Sequence, residues 1–158
     1  MIYVLKNEPS PGAFEDILDY GLQHCRFALM VIQPLKRMTP QVEAILKRLE
    51  PDLVEKKVSN KWPGTKLTAG QGFVHKYKLE QPFVEKVKKI NGHLYGWLQP
   101  NYPEDLCLLT ENDEPWFVSI THGKDSYFSL PEDEKNTLIQ SIPELGRILT
   151  KDKGNHVN

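Results

Sequence analysis

Ser119, His122 and Asp125 bring a nucleophile, a base and an acid within a few residues of one another. Side chains alternate faces along a strand, so positions 119 and 122 project to opposite sides of a sheet, and the spacing argues against a Ser-His-Asp triad. His122 with Asp105 and Asp125 offers imidazole and carboxylate, ordinary ligands for zinc or iron. No H-x-x-x-H, H-E-x-x-H or paired C-x-x-C spacing accompanies them, so no metal and no cofactor is expected. The two cysteines, Cys25 and Cys107, lie in apolar segments, and a reactive thiolate would need a base that spacing does not supply. Gly70-Gln71-Gly72 lacks the lysine and hydroxyl that complete a phosphate loop.

Charge is the stronger signal. Residues 55–89 carry nine lysines and three acids, net +6, whereas residues 101–145 carry ten acids and two lysines, net −8, inside a chain of net charge −1. Trp62, Phe73 and Tyr77 interleave with the lysines, a pattern that serves nucleic acid by pairing phosphates and stacking bases. No arginine falls in that segment, which counts against bidentate phosphate or base contacts. The densest constellation is Tyr95, Trp97, Tyr102, Glu104, Asp105, Trp116, Asp125 and Tyr127. Aromatics supply contact area and acids steer a basic partner, which is the anatomy of a protein interface.

These residues need a scaffold, and the pattern gives an α+β one: a single domain over residues 1–150 with a polar, flexible tail at 151–158. Ile2 to Leu5 reads as an edge strand. Ser10-Pro11 opens a helix that Gly21 closes. The apolar run Arg26 to Gln33 reads as a central strand, and Thr39-Pro40 opens a helix with Val42, Ile45, Leu46 and Leu49 inward. Leu53 to Val58 reads as a short strand, Lys61 to Thr65 as a Pro-Gly turn, and Phe73 to Lys78 as a half-exposed strand. A helix follows from Pro82, ending at Asn91-Gly92.

The period then changes to 2. Leu94 to Gln99, Asp105 to Thr110, Pro115 to His122 and Ser126 to Leu130 read as a four-stranded antiparallel meander packed against the helices. Ser129 and Glu132 form a capping box for a last helix. The start, MIYVLKNEPSPG, shows no export leader, and no window is apolar enough to span a membrane, so a cytoplasmic location without membrane contact is expected.

The segments LYGWLQPNYPEDLCLL and PWFVSITHGKDSYFSL, together with the WPGT turn, resemble small bacterial proteins of the immunity-protein kind, which bind and neutralise a cognate toxin. That resemblance implies a non-enzymatic protein that binds a toxin; the −8 segment adds the expectation that the partner is a basic toxin domain, whose cleft an acidic patch can occupy. The partner-binding set expected from the residues is Trp97, Glu104, Asp105, Glu111, Asp113, Glu114, Trp116 and Asp125. The alternative is a small enzyme or ligand-binding domain with a pocket of Arg26, His122, Asp125 and Tyr127. Nucleic-acid binding through the lysine-rich middle comes third.

Overall fold

The computed structural model describes residues 1–152, which form an α+β fold of five helices on a large antiparallel sheet. The strands are β1 (Ile2–Leu5), β2 (Phe27–Ile32), β3 (Leu53–Ser59), β4 (Lys61–Trp62), β5 (Thr65–Lys66), β6 (Gly72–Lys78), β7 (Glu104–Leu109), β8 (Pro115–Ile120), β9 (Asp125–Ser129) and β10 (Leu149–Lys151). The helices are α1 (Pro11–His24), α2 (Pro40–Leu49), α3 (Gln81–Ile90), α4 (Glu132–Ser141) and α5 (Leu145–Ile148). Eight strands make one sheet in the order β10-β1-β9-β8-β7-β2-β6-β3, and β4 and β5 form a separate hairpin. No helix among the described residues is long and apolar enough to cross a membrane.

Strand alternation divides the core into two layers. Ala28, Met30, Tyr77, Leu106, Leu108, Phe117 and Phe128 face the helices and pack on Phe14, Ile17 and Leu18 of α1 and Phe83, Val84 and Val87 of α3. Leu29, Val31, Val74, Cys107, Leu109, Val118 and Tyr127 face the other way and are covered by Trp62 of the hairpin. Both cysteines are buried free thiols, and burial pushes the Cys25 thiol up to about 12.

Several local expectations need correction. Leu94 to Gln99 is not a strand: residues Leu94–Gly96 form a 3-10 turn, and Pro100 and Pro103 follow at positions that cannot donate to a ladder. The meander therefore has three strands, β7, β8 and β9. Helix α1 continues through Gly21 to His24, and a Cβ at Gly21 would lie 2.7 Å from Leu108 Cδ1. This glycine thus marks close approach of helix to sheet. Strand β1 is internal, because Tyr3 pairs with Lys151 of β10 as well as with Phe128 of β9. The tail expectation fails at its first residue, Lys151, which belongs to β10; residues 153–158 lie outside the described residues. Ser129 ends β9 and does not cap α4, where Pro131 takes the N-cap position.

Candidate functional site

The one place where the described residues gather three potential ligand groups is the start of β7. One donor atom each of Glu104, Asp105 and His122 lie within 4.8 Å of one another. A bulge creates the arrangement. The β2/β7 register passes from Leu29 opposite Cys107 to Val31 opposite Glu104, so β7 carries one residue too many. Asp105 takes up the excess in the left-handed region, with φ 57°, and both acids are fully buried.

Neither carboxylate is idle. Asp105 Oδ2 accepts the Trp62 indole N–H at 2.9 Å, while Oδ1 accepts the Thr121 backbone N–H at 2.9 Å and its hydroxyl at 3.2 Å. Lys36 Nζ lies 3.1 and 3.2 Å from the two oxygens of Glu104. Burial pushes the Glu104 carboxyl above its ordinary range against the opposing pull of Lys36, and the neighbouring Asp105 adds to the rise. His122 is exposed on the 3-10 turn that follows β8. Two carboxylates and an imidazole have the chemistry to hold a divalent cation or pass a proton. Here the Lys36 ammonium occupies the cation's place on Glu104, and Asp105 is committed to Trp62 and Thr121. The cluster works as a clamp joining β7, the turn after β8 and the β4–β5 hairpin.

What the clamp holds is a lysine-rich corner. Trp62 lies over Gly72, where a Cβ would stand 2.8 Å from its ring; Gly64, at φ +83°, turns the hairpin where a Cβ would meet Ile120 at 2.8 Å. Beside the hairpin is a cavity of about 230 Å³ whose apolar lining is Leu29, Trp62, Pro63, Val74 and Leu109 and whose charged lining is Lys57, Lys61 and Lys76 together with Glu55 and Asp113. Lys76 is neutralised by Asp113 at 2.7 Å and also lies 4.1 Å above the Phe27 ring. Lys56, Lys57, Lys61 and Lys66 are exposed and form no ion pair among the described residues. They sit on β3 and the hairpin. Among the described residues, strand β3 is the sheet's outermost strand, paired in the sheet with β6 alone, and Val54 through Val58 are exposed.

The expected acidic and aromatic face does not assemble. Trp97 is fully buried in the helix-side core with its indole N–H on Asn91 O, and Trp116 is 3% exposed, bonded to Glu134. Neither indole is available as a surface anchor. Glu104 and Asp105 are interior, whereas Glu111, Asp113 and Glu114 are exposed in the turn at the opposite end of β7, about 17 Å of strand away. Glu111 lies 3.9 Å from Arg26, and Asp113 serves Lys76. Asp125, half-buried, begins β9.

The alternative pocket also fails to form. Arg26 is at the Leu109 end of the sheet, bonded through its backbone N–H to Leu109 O, while His122 stands beside Glu104 at the other. Tyr127 is in the hairpin-side core, where burial pushes its hydroxyl up to about 12. The Ser119 hydroxyl donates to Leu106 O at 2.7 Å, which gives it a structural role. Lys36, Trp62 as the partner of Asp105, and the free lysines of β3 escaped the residue-by-residue reading, although the +6 count pointed at the last of these. No family model, no curated protein and no solved structure matches this chain.

Proposed function

We propose that the protein is a non-enzymatic binding protein that recognises an acidic cytoplasmic protein at the corner built by β3 and the β4–β5 hairpin. The observation that carries this reading is the set of four exposed lysines without an ion pair among the described residues, Lys56, Lys57, Lys61 and Lys66, gathered on an outermost strand and the hairpin beside it. Unpaired like charges on a rigid element raise the local concentration of an opposite partner and set its orientation. Toxin neutralisation by a bacterial immunity protein is one role within this class. The version with Trp97 and Trp116 as anchors of an acidic face is not carried forward, because both indoles are interior.

Nucleic acid is the less favoured polyanion, since Trp62 and Tyr77 are buried and only Phe73 of the three interleaved rings is exposed, at 37%. The test is binding of fluorescent poly-L-glutamate and of single-stranded DNA to the full chain, with and without the combined change Lys56→Glu, Lys57→Glu and Lys61→Glu. Binding of polyglutamate that weakens with salt and falls about tenfold or more on charge reversal is expected. Equal binding by the reversed variant, or tighter binding of DNA than of polyglutamate, would contradict the proposal.

A further inference from the structure

Strand β3 ends the sheet with its outer backbone open. It spans seven residues and bonds to β6 on one side, with a bulge confined to the Leu53–Glu55 end and regular pairing from Glu55 to Ser59; apart from the Leu53 N–H on Glu50 O, no other backbone hydrogen bond reaches Leu53–Ser59 among the described residues. An outermost strand of this length is a template for another chain unless something blunts it. At the opposite end of the sheet, β10 has only three residues. The side chains of β3 select what is allowed to pair. Directly opposed residues share a face, so the register with β6 puts Glu55 and Lys57 beside Lys76 and Val74 on the hairpin side, and Lys56 and Val58 beside His75 and Phe73 on the helix side.

Val58 and Phe73 are neighbours in this register and remain 52% and 37% exposed, so the helix side of the rim ends in an apolar step next to Lys56. The outer edge therefore displays, from residue 58 back to residue 55, an apolar residue, two cations and one anion. A second copy is a poor occupant: antiparallel pairing centred on Lys56 would match Glu55 with Lys57 but set Lys56 against its own copy. Pairing centred on either neighbour leaves charges of one sign opposed as well.

Resting on the reading of an acidic protein partner, we propose that the partner adds to β3 as a ninth, antiparallel strand. Read from its N-terminus, the added segment carries an apolar residue opposite Val58, acids opposite Lys57 and Lys56, and a neutral polar residue opposite Glu55. Main-chain hydrogen bonds supply the attachment, and the two opposed charge pairs fix register and exclude basic strands.

The test uses the full chain and a synthetic peptide with the core Val-Glu-Glu-Thr flanked by threonines, together with two versions N-methylated at one or the other alternate set of residues. Only alternate N–H groups of an added strand point at β3, so one methylated version is expected to lose binding about tenfold or more while the other binds like the parent. The triple lysine-to-glutamate variant is expected to lose the parent peptide. If both methylated peptides bind like the parent and the lysine variant still loses them, strand addition is overturned while recognition by charge stands. If the parent fails to bind but polyglutamate binding is lost on charge reversal, strand addition is again overturned alone. If the lysine variant binds every acidic probe unchanged, both are overturned. A dimer in sedimentation that Lys57→Glu dissolves would overturn strand addition in favour of a second copy.

Discussion

At the scale of single residues, the surprise is what the acids do. Glu104 and Asp105 carry no mark in the sequence that separates them from the exposed Glu111, Asp113 and Glu114; the difference comes from a bulge that only the β2/β7 register reveals. Asp105→Ala would strip the acceptors from the buried Trp62 and Thr121 N–H groups and leave a Cβ-bearing residue in the left-handed region. We expect a loss of roughly 3–5 kcal/mol in urea unfolding, with Asp105→Asn less damaging because it keeps one acceptor. Glu104 tests the electrostatics. Its raised carboxyl means that the folded state holds this proton more tightly than the unfolded chain does, so stability present below the ordinary glutamate range is lost as pH rises through the raised value. Glu104→Gln removes that loss. Unfolding curves measured from acid to neutral pH should therefore show the variant gaining on the parent as pH rises; a constant gap would contradict the assignment.

At the scale of elements, periodicity located most of the fold. Helix α2 and strands β2, β6, β7, β8 and β9 stand where apolar spacing places them, because each buries a continuous face. The expectation for Leu94 to Gln99 failed because alternating apolar residues there are compatible with a folded-back turn whose Trp97 fills the core from a loop. The termini illustrate a link no local pattern reveals: Ser10 caps α1 through Ala13 N–H, while its own hydroxyl and N–H bond to Glu144 at 2.6 and 2.8 Å. Those bonds hold the Glu144 carboxyl below its ordinary value, so their contribution is present above the ordinary glutamate range and fades as pH falls through the lowered one. Ser10→Ala should cost about 1–2 kcal/mol near neutral pH and less in acid, read by thermal unfolding. In the hairpin, Gly64→Ala faces both a positive φ and the Ile120 side chain. It should cost roughly 1–3 kcal/mol and weaken acidic-probe binding as well, because it disturbs the element that carries Lys61 and Lys66.

At the scale of the whole molecule, the charge asymmetry of the sequence does not become two opposed faces. Folding brings part of the lysine-rich segment onto acids from elsewhere: Lys76 meets Asp113, Lys86 meets Asp52 at 2.8 Å, and Lys88 meets Asp19 at 2.7 Å. Among the described residues, what stays unmatched in that segment is Lys89 of α3 and the cluster on β3 and the hairpin, which the net charge of a sequence window cannot distinguish from its neutralised neighbours. The sheet order likewise depends on pairings between distant segments, such as β1 with β10, that periodicity does not rank. The α+β class was thus legible, whereas the working corner required the three-dimensional pairing of charges. Hydrogen exchange of the full chain with and without poly-L-glutamate tests that corner most directly. Slower exchange concentrated in residues 53–66 is the predicted result; protection centred on residues 111–114, or none anywhere, would contradict it.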